Sequence, residues 1–189
     1  MSKLSILIGT RIQELLPAYS VKISKEEVSC VVPSSKLFHV LSFLKEHSLF
    51  KYKILTDLCA VDYPEKNLRF NLIYNLRSLH YNSILLVKTV VNDLTPVSSI
   101  SSLYSGSNWL EREVWDLFGI YFYNHPDLRS LLTDYGFEGY PLRKDFPLTG
   151  YLEVRYEVKK SQIVFEPLEL TQDFKSFDFK SPWSNQMSN

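Results

Sequence analysis

Residues 68–76 read LRFNLIYNL and alternate along the chain between two sets of side chains. Successive side chains of a β-strand point to opposite faces, so this period of two predicts a strand that is covered on one face only. The covered face would carry the larger apolar residues, and the other face is mostly polar. The two sets are Leu68, Phe70, Leu72, Tyr74 and Leu76, and Arg69, Asn71, Ile73 and Asn75.

The segments on either side complete the pattern of an α+β domain. A helix is followed by two strands, a second helix, three strands and a third helix, which predicts helices packed on a largely antiparallel or mixed sheet. Residues 84–91 are apolar on both faces and therefore predict a more central strand. The other expected segments are a helix over 6–16 ended by Pro17, strands over 19–23 and 28–32 around a polar turn at 25–27, a helix capped by Ser34 or Ser35 and running to Glu46, a strand within 52–64, and a Ser-rich helix or loop over 96–105.

The composition changes after about Phe122. Five of the nine prolines and twelve of the 27 aromatic residues lie beyond this position, and the prolines recur too often for long helices or central strands. We therefore predict a core domain over 1–122 and an extended, Pro- and aromatic-rich segment over 123–189 that docks on a partner. The prolines are Pro126, Pro141, Pro147, Pro167 and Pro182.

Charge and hydropathy narrow the classes of function. The formal net charge is +0, so the chain lacks the basic excess typical of nucleic-acid binders. No apolar run approaches the ~20 residues that span a bilayer, and the first residues predict neither a signal peptide nor a transit peptide. Cys30 and Cys59 form no CxxC pair, and both are expected to be buried free thiols.

Residues 111–120, EREVWDLFGI, combine three acids and one base with large apolar residues. Asn108 and Glu111 resemble a capping box, and Gly119 predicts the end of the helix. Arg112 and Asp116, four residues apart, are spaced for a local ion pair. The apolar stripe of this amphipathic helix would be Leu110, Val114, Leu117 and Phe118.

The same helix is a candidate catalytic or metal site by composition, but its spacing argues against both. Glu111 and Glu113 are two residues apart on a helix and point in different directions, so they do not converge on one bond or ion. No HExxH, GxGxxG, P-loop or GxSxG motif is present. His125, the histidine nearest to other polar motif residues, is expected to cap a helix or form hydrogen bonds, with a ligand or acid–base role as the weaker alternative.

Charge balance suggests a structural role for this region. The helix carries a surplus of two negative charges, and Arg129, Arg143 and Lys144 supply positive charges later in the chain. Carboxylates held among Trp and Phe need partners, because an unpaired buried charge is costly. We expect an ion-pair joint that docks the tail to this helix; a solvated helix face is the alternative.

Two blocks carry a family resemblance: EREVWDLFGIYFYNHPDLRSLL, from Glu111, and TDYGFEGYPLRKDFPLTGYLEVRYE, from Thr133. Together they resemble the thirty-kilodalton-type peripheral subunit of respiratory complex I, of the mitochondrially encoded type. Ser130 and Tyr140 depart from the residues common in relatives, arginine and histidine. The motif positions that the resemblance carries over as structural or docking residues are Glu111, Arg112, Glu113, Asp116, His125, Arg129, Arg143, Lys144 and Asp145.

The resemblance implies a non-catalytic core subunit in the peripheral arm of proton-pumping NADH:ubiquinone oxidoreductase, which supports assembly and the quinone-reducing module. It implies that NAD, FMN, iron–sulfur clusters and ubiquinone belong to the whole complex and not to this chain. Its chief partner would be the forty-nine-kilodalton-type subunit, with no nucleic acid and with membrane association only through the complex.

The implied location is the matrix side of the mitochondrial inner membrane, or the cytoplasmic face of a bacterial inner membrane. The alternatives are the corresponding subunit of a chloroplast or cyanobacterial NDH complex, and a stand-alone enzyme using Glu111, Glu113 and His125.

Overall fold

The structure, a computed structural model, describes residues 3–24, 27–179 and 181. Within these residues the main sheet has five strands in the order β1-β2-β5-β4-β3. Three of its four pairings are antiparallel, and only β2 and β5 run parallel, so the sheet is mixed. The main elements are α1 (Lys3–Leu15), β1 (Ser20–Ile23), β2 (Glu27–Val31), α2 (Leu37–Glu46), β3 (Ile54–Asp62), β4 (Phe70–Ser78), β5 (Ser83–Val91), β6 (Val97–Ser98), α3 (Ser107–Phe118), β7 (Phe122–Tyr123), β8 (Leu152–Glu157) and β9 (Gln162–Pro167).

One hydrophobic core lies between the helices and one face of the main sheet. Strand β4 alternates between buried and half-buried residues over most of its length, which confirms the predicted period of two. Strand β5 lies at the centre of the sheet, as its two apolar faces predicted. Helix α1 comes close to the sheet at Gly9, where an added Cβ would lie 2.5 Å from Cδ1 of Ile23. The predicted α+β architecture is therefore confirmed.

Several local predictions are wrong. Neither Ser34 nor Ser35 caps α2; both belong to a 3-10 turn, Ser34–Lys36, that precedes it. Of the two alternatives predicted for residues 96–105, the helix is wrong and the loop is found, with the short strand β6 at its start. Cys30 is buried and Cys59 is exposed, because β3 is an edge strand and Cys59 faces away from the core. The predicted turn residues Lys25 and Glu26, and Pro182, lie outside the described residues.

The chain divides into two compact units, Met1–Pro147 and Leu148–Asn189. The first unit contains the main sheet, the three helices and the parallel pair β6–β7, together with the loop segments up to Pro147. The second contains the antiparallel hairpin β8–β9, an element that the sequence pattern did not predict. Whether residues 1–122 fold without the remaining chain stays a prediction.

Candidate functional site

Glu111 lies on α3 and is fully buried, yet its carboxylate is well bonded. The parallel pairing of β6 with β7 brings the chain after β6 against α3. There Ser99 Oγ donates to Glu111 Oε2 at 2.6 Å, and the Ile100 N–H donates to Oε1 at 2.8 Å. Burial raises the pKa of Glu111 to about 7, although these two hydrogen bonds favour the charged form. Glu111 therefore joins α3 to the end of β6.

His125 completes this buried group. Its Nε2 lies 3.7 Å from Glu111 Oε2 and 3.2 Å from the Asn108 carbonyl oxygen. Its Nδ1 accepts a hydrogen bond from the Asp127 N–H at 3.1 Å, so the neutral ring carries its proton on Nε2 and donates to Asn108. Both side chains of the Glu111–His125 pair are fully buried. The pair is sealed from solvent and offers no surface to a substrate.

Tyr74, on β4, is the third titratable side chain of this buried group, after Glu111 and His125. Burial, followed by the negative charge of Glu111, raises the pKa of its phenol. Its hydroxyl is buried and has no hydrogen-bond partner among the described residues. A neutral phenol next to a buried carboxyl adds no charge that could activate a nucleophile.

Arg112 holds the chain that follows α3. Its Nε donates to the Arg129 carbonyl and its Nη2 donates to the Ser130 carbonyl, both at 3.2 Å. The guanidinium also lies over the ring of Trp109, with 5.1 Å to the centroid. Arg112 is only 7% exposed, so its charge is directed at backbone carbonyls and at one aromatic face. It ties α3 to residues 129 and 130.

Asp116 binds the next residues of the same loop with five hydrogen bonds. Its Oδ2 accepts from the backbone N–H groups of residues 131, 132 and 133 at 3.2, 2.7 and 2.9 Å. Its Oδ1 accepts from Ser130 Oγ at 2.6 Å and from Thr133 Oγ1 at 2.7 Å. Burial alone would raise the pKa of Asp116, but these donors outweigh it and the pKa is held well below its ordinary value. Ser130, which stands where relatives commonly have arginine, is thus one of the hydrogen-bond donors to Asp116.

We call Glu111, Arg112 and Asp116, with the backbone and hydroxyl groups that they bind, the α3 joint. The joint ties α3 to residues 99–100 and 129–133, mainly by charge-assisted hydrogen bonds to backbone groups and hydroxyls. The sequence predicted ion pairs instead, and the local pair between Arg112 and Asp116 is absent from the described structure because each side chain is bound to the loop. The expected capping box is also wrong: α3 begins at Ser107, with Gly106 as N-cap, and Glu111 bonds to Ser99 and Ile100.

Glu113 differs from the other acids of α3. It is half-buried. Its carboxylate makes no hydrogen bond or ion pair with any residue that the structure describes. The structure therefore brings Glu111 and His125 together and leaves Glu113 apart, so the constellation required by a stand-alone enzyme does not form.

A second charged cluster lies at the end of β3, and the prediction from sequence missed its centre. Arg69 donates to both carboxylate oxygens of Asp62, at 2.6 and 2.8 Å, and its Nη1 lies 3.0 Å from Asp145 Oδ2. The Lys144 N–H donates to Asp62 Oδ2 at 2.8 Å. Hydrogen bonds from Arg69 lower the pKa of Asp62 despite its burial. A clue was available: Asp62 falls on the same strand face as Leu58 and Ala60, where a buried acid requires a partner.

Arg143 anchors the same segment to the end of α3. Its Nε donates to the Phe118 carbonyl at 2.7 Å, and its guanidinium lies over the rings of Tyr140 and Phe70. Gly119 ends the helix at φ 78°, as predicted, and a Cβ there would lie 2.6 Å from the Tyr140 ring. Arg129, in contrast, forms an ion pair with Asp127 near the surface. None of Arg129, Arg143 and Lys144 forms an ion pair with an α3 carboxylate among the described residues.

Metal-binding clusters and membrane-spanning helices were both sought in the described part of the chain. It holds no group of three or more His, Cys, Asp or Glu side chains placed to bind a metal ion. It also contains no helix that is both long and apolar enough to cross a bilayer.

Comparison with known proteins gives consistent matches. The sequence profile of the respiratory-chain NADH dehydrogenase 30 kDa subunit matches residues 30–152. NADH-ubiquinone oxidoreductase subunit 9 of Reclinomonas americana is 54% identical over 177 residues, which cover 93% of this chain and 87% of that protein. NADH dehydrogenase [ubiquinone] iron-sulfur protein 3 of Arabidopsis thaliana is 54% identical over 150 residues, 79% of each chain.

Two solved structures share the fold. A chain of the membrane-bound sulfane sulfur reductase, an archaeal respiratory membrane complex, matches with a TM-score of 0.66 and 26% identity over 76% of this chain and 85% of that one. A trypsin-resistant fragment (1–134) of Nqo5 matches with a TM-score of 0.54 and 25% identity over 65% of this chain and 96% of the fragment.

Proposed function

Because the chain belongs to the 30 kDa subunit family of respiratory-chain NADH dehydrogenase, we propose that it is a structural subunit with no active site of its own. It is a core subunit of the peripheral arm of NADH:ubiquinone oxidoreductase, and its partners are other subunits of that complex. Its relatives in mitochondria fit an association with the inner membrane. They favour the respiratory complex over the chloroplast or cyanobacterial counterpart.

The α3 joint carries the structural part of the proposal. A general acid or base must reach a substrate, yet Glu111 and His125 are fully buried and bonded within the chain. Arg112 and Asp116 are likewise occupied by residues 129–133. These charges therefore fix the loop after α3, and Glu113 is left to face a partner. We propose that Arg129, Lys144 and Asp145, with Glu113, contribute to the subunit contacts.

The cofactors of the complex are proposed to belong to other subunits. Relatives carry the words iron-sulfur protein in their names, but this chain does not fit a cluster. Iron–sulfur clusters are held by about four cysteine thiolates, and the whole sequence has two cysteines. They differ in burial, one buried and one exposed. We propose that NAD, FMN and ubiquinone are bound by other subunits of the complex, as the family resemblance implies.

We propose the forty-nine-kilodalton-type subunit as the chief partner, on the matrix side and near the quinone-reducing module, as the family resemblance implies. The segment after residue 122 would provide much of this contact, while residues 1–122 would fold alone. The solved neighbour supports that division, because a fragment that resists trypsin is a folded unit and it matches 65% of this chain.

The proposal is tested by isolating the chain with its partners in mild detergent. We expect it to co-purify with the forty-nine-kilodalton-type subunit, and we expect the chain separated from its partners to lack absorption above about 350 nm and stoichiometric iron, since it carries no cluster. An isolated chain that absorbs in the visible range, or that catalyses turnover alone, would contradict the proposal.

A further inference from the structure

The hairpin β8–β9 has two chemically opposite faces. The strands pair antiparallel, with Val154 opposite Phe165 and Tyr156 opposite Ile163. Paired residues project to the same side of a sheet, and successive residues alternate. One face is therefore wholly apolar, and we call it the hairpin apolar face. Its six residues are Leu152, Val154, Tyr156, Ile163, Phe165 and Pro167.

The hairpin apolar face is exposed in the chain by itself. Its five larger side chains are 57–62% exposed. Large apolar side chains each cover roughly 200 Å² when buried. With somewhat more than half of each of the five exposed, roughly 600 Å² of apolar surface is in contact with water. A standard interface buries about 800 Å² on each partner. Phe174, Phe177 and Phe179, which follow in the same unit, are also 61–92% exposed.

On the opposite face of the hairpin, the central charge already has partners within the hairpin. Arg155 lies at its centre and bonds to Glu166 at 2.6 Å and to Glu157 at 2.8 Å. Glu153 lies directly opposite Glu166 on the neighbouring strand. Glu153, Glu157, Val164 and Glu166 on this acidic face are half-buried, whereas every residue of the hairpin apolar face is exposed, so the apolar side is the one left to dock.

A hairpin of this kind does not stabilise itself. An isolated two-stranded hairpin is marginal in water, and it gains stability when its apolar side packs on another surface. Exposed apolar patches of several hundred Å² mark sites of interaction. A covering surface is therefore required by the physics of the element.

We infer that the hairpin apolar face docks on a hydrophobic surface of another protein subunit of the complex, which covers an apolar strip about 20 Å long. This inference rests on the proposed function and adds the chemistry of the contact. A lipid surface fits less well, because elements that lie on membranes carry Lys or Arg on the polar face. Here the polar face carries Glu153, Glu157 and Glu166 against Arg155.

Matched valines on the two faces allow a direct test. Val154 lies on the hairpin apolar face, whereas Val164 lies opposite Arg155 on the acidic face. Val154→Ser should lower the ratio of complex-bound to free chain about tenfold, as expected when one buried valine contact is lost. Val164→Ser makes the same chemical change in the neighbouring strand and should change that ratio by less than about twofold. Native gels with quantitative blotting of the chain measure both.

A photocrosslinker identifies the covering surface. Benzoyl-phenylalanine at position 165 should crosslink to one other subunit in the purified complex, and at Gln162, on the acidic face, it should not. Crosslinks from position 165 to lipid or to a second copy of this chain would overturn the inference, as would equal effects of the two valine changes. If Val154→Ser leaves assembly intact while Arg112→Met impairs it, the inference fails and the proposed function stands.

Discussion

Asp116 offers the sharpest test of the α3 joint, because one carboxylate holds five donors. Only 6% of the residue is exposed, and three of its donors are consecutive backbone N–H groups. Asp116→Ala removes the carboxylate that accepts all five hydrogen bonds, so the three backbone N–H groups lose their acceptor. A hydrogen bond to a charged group contributes about 1.5–3 kcal/mol, and water entering from the open groove between α3 and the loop recovers part of the loss. We expect unfolding to become easier by about 3–5 kcal/mol.

Asp116→Asn separates charge from shape. The amide oxygen can accept from the backbone groups, and the amide nitrogen can donate to the hydroxyls of Ser130 and Thr133. The loss should then be about 1–2 kcal/mol, because neutral hydrogen bonds are roughly half as strong. Urea unfolding of the full chain, followed by tryptophan fluorescence, measures both variants. Trp115 lines the same groove and reports on it.

Asp134→Ala and Asp134→Asn are the matched controls. Asp134 is exposed, and among the described residues its carboxylate accepts only from the Tyr135 N–H, so both changes should cost less than about 0.5 kcal/mol. The effect of Asp116 should also depend on pH. Its folded pKa lies below the unfolded value, so its contribution is present above about pH 4 and is lost as the pH falls further. If Asp116→Ala matches Asp134→Ala at neutral pH, the α3 joint does not hold the loop.

Two further predictions concern Glu111 and the division of the chain. Glu111 has a raised folded pKa of about 7, so its contribution favours folding at low pH and declines as the pH rises from about 4.5 to 7. Glu111→Gln cannot lose a proton, and relative to wild type it should gain up to about 3 kcal/mol between pH 5 and pH 8 in urea unfolding; a pH-independent difference would contradict the burial argument. Limited trypsin digestion of the free chain should remove the second compact unit and leave an N-terminal core. A core that ends near residue 147 means that the hydrogen bonds from α3 and Asp62 hold the following loop in the free chain, and a core that ends near residue 122 means that they do not. A tail as resistant to trypsin as the core would refute the division.

Local periodicity was enough to predict the main sheet but not the contacts of the α3 joint. The alternation around Tyr74 and the central position of β5 follow from which residues must be buried, and both were confirmed. Helix spacing, which is a local signal, placed Glu111 in a capping box. Its actual donors, Ser99 and Ile100, reach it only through the pairing of β6 with β7.

The same limit applies to the charges near Asp62. The basic residues at 143 and 144 were expected to neutralise α3, but the segment instead meets Asp62 through a backbone N–H and Arg69 through Asp145. Which acid meets which base depends on long-range packing that composition does not encode. The hairpin β8–β9 was missed for a related reason. The recurrence of proline argued against long helices and central strands, which led to the prediction of an extended segment; Pro167 ends β9 where no further pairing is needed.

The central claim is that the charges of α3 serve assembly and carry neither protons nor electrons. Arg112→Met and Glu113→Gln test it most directly, when the amount of assembled complex and the NADH-to-quinone turnover of each assembled complex are measured on the same preparation. Arg112→Met leaves two loop carbonyls without their donor, and Glu113→Gln removes a charge that has no partner within the described chain. We predict less assembled complex with near-normal turnover per complex. Normal assembly with abolished turnover would contradict the account and restore a catalytic role for these residues.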